Sequence, residues 1–381
     1  MRIPVRSTIM LAALTLVGAA QAVTTTPTVA PGYTLSVFAA PLAGNTGPDT
    51  VVYTGGSVFV AYGNQASTDG TAVTTGNPDS TIAEYNVNGG LMRQWSILGH
   101  TEGLRVDPST GLLWANQNED SASTLAIFNP NSTAAGAIPT SDIYHYPVPS
   151  AHAGGHDDIA FYNGNAYVVN SSPDYTNPNP PTVNNHFAVE QVSVSGGVLH
   201  TQGVLAGTAL ATNVQSGKTV TLNVDDPDSL TLDAHGNLAF MDESNNQIDI
   251  IHSPGTSSQT VHQLLLYNSS GQLTNIDDAA WATGAGSMLI SDNSGGAIYK
   301  LSGPNIQNDS AFTVSPGSGT VGSLNLTTGV ITPVVTGLGK PHGIDFLPSN
   351  AGGSAVPEPN ALVLLPLAMG ALALRQRAAR A

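Results

Sequence analysis

The chain has 381 residues and a formal charge of −16, with 9% charged and 41% hydrophobic residues, 41 glycines, 25 prolines and no cysteine. So few charges exclude a coiled coil or charged helical bundle, and so much apolar sequence excludes a disordered chain. The acidic balance repels phosphate backbones, excluding nucleic acid as a partner, and the lack of cysteine excludes disulfides, thiolate catalysis and Cys-ligated zinc.

The first segment reads as an address. Residues 1–6 carry Arg2 and Arg6, residues 9–20 are uncharged and mostly apolar, and Ala20-Gln21-Ala22 follows the small-x-small pattern that signal peptidase accepts. This predicts an N-terminal signal helix over 1–22, cleavage after Ala22 and a mature chain from Val23. A domain over 23–350 follows, and 351–381 form a linker plus a second address.

After a lone apolar strand at 33–38, one plan recurs at roughly 50-residue intervals: a polar or acidic lead-in, an apolar strand, a turn and a second strand. The copies run through 50–53 and 58–61, then 103–107, 112–116 and 124–128, then 158–161 and 166–170. The clearest covers 228–233, 238–242 and 247–251; another is read as 278–281, 287–292 and 297–301. Residues 342–346 begin a sixth copy and stop. Short strands with frequent turns predict an all-β fold, and the repetition predicts a β-propeller with one small sheet per blade. Six inner strands predict six blades, with five or seven left open. Residues 33–38 would close the ring as an outer strand, and 311–314 and 321–325 would fill the incomplete sixth blade. A β-sandwich or β-solenoid is the rival architecture.

Residues 236–248, GNLAFMDESNNQI, and 289–298, LISDNSGGAI, resemble blades of NHL-type and gluconolactonase-like propellers. In gluconolactonase-like enzymes a Glu before one inner strand, with Asn and Asp from others, holds a metal that polarises a lactone carbonyl. Glu102 resembles the first of these, and Asp228 or Asp278 the last. His342-Gly343 stands where that family often has Asn-Gly, a departure in the ligand set.

At the other end, Pro357-Glu358-Pro359 precedes an uncharged run over 361–374, then Arg375, Arg377 and Arg380. This order resembles the PEP-CTERM sorting signal, which implies recognition at Pro357, Glu358 and Pro359 by an exosortase. A short C-terminal apolar helix is expected there, below the ~20 residues of a full bilayer span and interrupted by Pro366. Transient membrane anchoring and release to the cell surface would follow. Between Val23 and Val356 there are five basic residues against 25 acidic ones, a charge of −20.

In a propeller the residues before each inner strand gather at one mouth of the channel. Asp49, Glu102, Asp157, Asp158, Asp226, Asp228, Asp277, Asp278, His156 and His342 occupy such places. Converging carboxylates repel, so they bind cations, protonate or spread apart. Glu102, Asp158, Asp228 and Asp278 are the candidate metal ligands, with Ca2+ or another divalent cation as cofactor because the donors are oxygens. His156 and His342 are the candidate ligand-channel residues. Structural use in blade-to-blade hydrogen bonds is the alternative for the same carboxylates. His152 and His156 flank a Gly-Gly pair that makes a loop rather than an aligned metal motif. The Gly217-Lys218-Thr219 sequence lacks a phosphate-loop context, and no Gly-x-Ser-x-Gly elbow occurs.

The sequence therefore predicts an exported, exosortase-processed propeller acting as a surface or extracellular-matrix module, with exopolysaccharide or another neutral glycan as partner. The alternative is a divalent-metal-dependent hydrolase of the gluconolactonase-like class.

Overall fold

The computed structural model describes residues 26–70, 77–120, 122–147, 155–171 and 187–351. The signal helix, Ala22, His152, Pro357, Glu358, Pro359 and the C-terminal apolar helix lie outside the described residues. Within them the regular structure is β-strand, with two three-residue 3-10 turns at Thr140–Asp142 and Pro316–Ser318.

The strands form six sheets whose inner strands are Pro48–Thr54, Thr101–Val106, His156–Tyr162, Pro227–Leu232, Ala279–Trp281 and Pro341–Pro348. Each inner strand packs beside the next, and the last returns to the first, so the ring closes around a channel. This is a six-bladed β-propeller. Blades 2 and 3 follow chain order as antiparallel meanders, whereas blade 1 gains Gly136–Ala137 in parallel beside Leu91–Leu98, and blade 4 gains Leu210–Asn213, which precedes its inner strand in the chain, in parallel beside Thr260–Leu265.

A blade is covered on both faces by its neighbours, which explains why its middle strands read as continuous apolar runs. Leu238–Asp242 is buried at every position, for example. Six apolar clusters fill the six interfaces between blades. Trp95 and Phe128 meet between blades 1 and 2 with ring centroids 5.3 Å apart, and Tyr167 packs with Phe240 between blades 3 and 4. The core is a wheel of wedges, and the channel is left for polar groups.

Blades 5 and 6 depart from the expected order. The strand Ala279–Trp281 pairs with Ala311–Ser315, whereas Gly286–Asp292 and Ala297–Ser302 belong to blade 6 beside Pro341–Pro348. The copy read as 278–281, 287–292 and 297–301 is therefore split between two sheets. Residues 311–314 and 321–325 complete blade 5, not blade 6. Polar side chains fix this exchange. The Asp292 carboxylate accepts the backbone N–H groups of Gly339 at 3.0 Å and Lys340 at 2.7 Å, and Ser291 Oγ accepts that of Gly343 at 2.7 Å. Thr34–Ala39 pairs with Ala297–Ser302 as the outer strand of blade 6, and Thr28–Val29 adds to blade 5. Residues 28–39 thus add the outermost strands of two blades, as expected for residues 33–38.

Candidate functional site

Every inner strand carries a bulge at the same end. Asp49-Thr50 oppose one residue of the neighbouring strand, as do Glu102-Gly103, Asp157-Asp158, Asp228-Ser229 and His342-Gly343. Asp277 and Asp278 share Val314 in the same manner. A bulge adds one residue, locally disrupts the ladder and re-aims side chains. Six repeats of that device bring six pairs to one mouth.

The second member of each pair serves the blade interface. Asp158 accepts the N–H of Ile159 at 2.7 Å and that of Leu230, in the next blade, at 3.0 Å. Asp278 does the same with Ala279 at 2.7 Å and Ile344 at 2.9 Å. Ser229 Oγ donates to the Asp277 carbonyl at 2.9 Å. Glycine stands where the blades approach too closely for a side chain: a Cβ on Gly103 would lie 2.5 Å from Asp157 O, and one on Gly343 2.6 Å from Asp49 O.

The first member faces the mouth, a cavity of about 320 Å³ that Asp49, Glu102, Asp157, Asp228, Asp277 and His342 all line. Loops add His100, Glu119, Glu243 and Lys340. Two groups are compact enough to hold a cation. The ligating atoms of Glu119, Asp157 and Asp228 lie within 4.8 Å of one another, as do those of Asp49, His100 and Glu102. Gly63 makes room for His100, since a Cβ there would fall inside the imidazole. His100 contacts Glu102 through Nδ1 and approaches Asp49 Oδ2 at 3.6 Å through Nε2. His342 Nδ1 lies 2.9 Å from Asp49 Oδ1 and 3.4 Å from Asp277 Oδ1, while its Nε2 is buried without a hydrogen-bond partner.

So many carboxylates cannot all ionise in one buried cavity. Burial, reinforced by the charge of Asp49, pushes Glu102 well up, and burial pushes Glu119 up to about 7. Asp157 and Asp228 rise well above the usual range through burial and neighbouring acids. Asp278 rises to about 8 through burial, against the opposing N–H of Ile344. Asp49 goes the other way: burial is outweighed by hydrogen bonding and attraction to His342 and by His100, so it stays below the ordinary carboxylate range.

The residues fit a hard divalent cation. Glu119, Asp157 and Asp228 offer only oxygen, suited to calcium, magnesium or manganese. Asp157 is 4% exposed, and its buried Oδ2 has no hydrogen-bond partner. A buried carboxylate oxygen without a donor costs free energy that a cation would offset.

Of the four candidate ligands, the structure places Glu102 and Asp228 in these two groups. Asp158 and Asp278 line the same cavity, but their oxygens hold backbone N–H groups of adjacent blades. His342 is at the mouth. His156 is elsewhere: its ring stacks on Tyr146 at 3.7 Å between blades 2 and 3, and its Nε2 lies 3.2 Å from Glu190. Asp49 and Asp157 were visible as residues preceding strands, but His100 and Glu119 were missed. Both lie in loops outside the strand period. The acid pairs Asp157-Asp158 and Asp277-Asp278 were the available signal for a bulge.

No family model matches the chain, and no curated protein matches it in sequence. Among solved structures, it is similar to virginiamycin B lyase from Staphylococcus aureus at 12% identity and TM-score 0.44, covering 82% of this chain and 92% of that one. It is similar to the periplasmic gluconolactonase of Pseudomonas aeruginosa at 10% identity and TM-score 0.43, covering 79% and 88%. A streptogramin B lyase matches at 14% identity and TM-score 0.43, covering 82% and 91%. The activities in those names belong to those proteins. The propeller assignment for this chain rests on its own strand pairings.

Proposed function

We propose that the acidic mouth is the divalent-cation centre of a hydrolase acting on lactones or similar neutral esters. The observation that carries this reading is the buried Asp157 carboxyl, whose Oδ2 has no N–H or hydroxyl donor and is crowded by the acids Glu119 and Asp228. A cation bound by these three carboxylates supplies Lewis acidity toward a carbonyl oxygen. The remaining roles fall to the chain itself. Asp49 holds His342 by Nδ1, which leaves Nε2 to take a proton from water. That water adds to the carbonyl carbon, the ester C–O bond breaks, and the proton passes to the departing oxygen to give a hydroxy acid. Neutral substrates suit a domain of charge −20, whose field opposes anions. Export and exosortase processing at Pro357, Glu358 and Pro359 are proposed from the two ends of the sequence, and would deliver the activity to the cell surface.

The test is metal analysis with a hydrolysis assay on γ-lactones, δ-lactones and neutral aryl esters. Asp157→Asn should lose cation and activity together. His342→Gln should keep the cation and lose ~10²–10⁴-fold in kcat. A protein that takes up no calcium, magnesium or manganese at millimolar concentration overturns the reading. Uptake of a cation without turnover of any such substrate would favour the glycan-binding surface module instead.

A further inference from the structure

The six strands that present bulges at the acidic mouth continue to the other end of the channel. Four residues at ~3.3 Å each carry them about 13 Å away. There Tyr53, Phe161, Leu232, Trp281 and Phe346 line a second cavity of about 640 Å³, within the usual ~300–1,000 Å³ range of small-molecule sites. Arg105 forms its floor and stands between the two cavities. Its Nε donates to Ile159 O at 3.3 Å and its Nη2 to Leu230 O at 3.4 Å. Nη2 is 3.8 Å from Asp158 Oδ2, and Nη1 is 3.9 Å from Asp345 Oδ2. Those carboxylate distances exceed a hydrogen bond, so the five N–H groups of the guanidinium are not saturated by its neighbours. Two flanking carboxylates leave the floor without net positive charge.

We propose that this cavity is a second binding site, separate from the acidic mouth, for a small uncharged molecule with an aromatic ring and one acceptor oxygen. The ring lies among Tyr53, Phe161 and Phe346, and the oxygen accepts from the Arg105 guanidinium. Asp345, Asp158 and nearby Asp233 disfavour an anionic ligand, and Arg105 disfavours a cationic one. The inference needs no activity at the acidic mouth.

Titration calorimetry on the full chain would use three charge states of one ring: 2-naphthol, 2-naphthoate and 2-naphthylmethylammonium. The naphthol should saturate below ~1 mM and bind at least tenfold tighter than either ion. Thr231→Trp, which fills the cavity from its wall, should weaken naphthol at least tenfold while the β-sheet circular dichroism and the melting transition stay unchanged. Arg105→Met should reduce the preference for naphthol if the variant folds, and Thr231→Trp decides the matter if it does not. Equal binding of the three probes, or naphthol binding indifferent to Thr231→Trp, would overturn the proposal. So would binding that appears only after residues 352–381 are removed, since the chain's own tail would then be the occupant.

Discussion

The two ends of the channel are built from the same six strands and have opposite chemistry. At the bulged end each strand supplies an extra residue, and the acids there divide their work. In Asp157-Asp158 and Asp277-Asp278 the first member faces the cavity, and the second holds an N–H group across a blade interface. At the far end the strands pair regularly and present Tyr53, Phe161, Leu232 and Phe346. The contrast teaches that the bulge, rather than residue type alone, decides whether an acid is available to a ligand. It also shows where charge is compensated internally. Arg105 serves the middle of the channel, whereas Glu119, Asp157 and Asp228 have no cationic partner within their group.

The largest expected effect comes from removing that central cation. Arg105→Met leaves Asp158 and Asp345 buried without a counter-charge, and takes away a charge that also acts on Asp278. Breaking a buried pair in this manner costs about 3 kcal/mol. Thermal unfolding should show a fall of several degrees, largely independent of added calcium. A melting temperature unchanged from the parent would mean that the two ends are not electrically divided at Arg105.

Loading the acidic mouth should have an effect nearly as large and of opposite sign. A cation at one hundred times its Kd stabilises the fold by about 2.7 kcal/mol. The metal-free protein should also show a characteristic pH dependence. Burial raises Glu119 from 4.5 to about 7 in the fold. Between those values the native state binds the proton and the unfolded state does not. Stability is therefore greatest below about pH 4.5 for this group, and its contribution is lost as pH rises toward 7. Saturating calcium should flatten that slope. Melting curves at pH 5 and 8, with calcium or chelator, make the comparison.

The fold was legible because strand period and turn spacing survive in the sequence, and four of the blades follow it. Blades 5 and 6 were misassigned because adjacent segments, 278–281 and 286–292, enter different sheets. The interactions responsible, Asp292 with Gly339 and Lys340, lie 47 and 48 residues apart. The mouth was legible as a ring of acids before inner strands. Its finer division was not, since Asp157 and Asp158 are chemically identical and only the bulge separates their roles. His156 lies one position before a bulged pair, at the register place of Pro341, whereas His342 is itself the first member of a pair, so the His156 ring meets Tyr146 between the blades. Periodicity does not report at which residue the bulge starts.

The smallest effects should separate the two members of the acid pairs most sharply. At pH 9, above the value of about 8 to which burial raises it, Asp278→Asn removes a charge from a side chain whose two oxygens accept Ala279 and Ile344 N–H groups. The amide keeps one acceptor and turns an N–H₂ toward a donor, so the variant should be less stable by about 2 kcal/mol, with or without calcium. Asp228→Asn has the same chemistry and a different setting. Glu119 and Asp157 crowd Asp228, and burial penalises its charge further. At the same alkaline pH, where the raised acids are driven to ionise, removing that charge relieves repulsion, so the metal-free variant should be more stable than the parent by about 1 kcal/mol. Its calcium-induced shift in melting temperature should shrink, because one of three ligands has lost its charge. The paired measurement is thermal unfolding of both variants in chelator and in calcium. Opposite signs in chelator would confirm that neighbouring acids serve blade and ligand separately, and the same sign would show that both are structural.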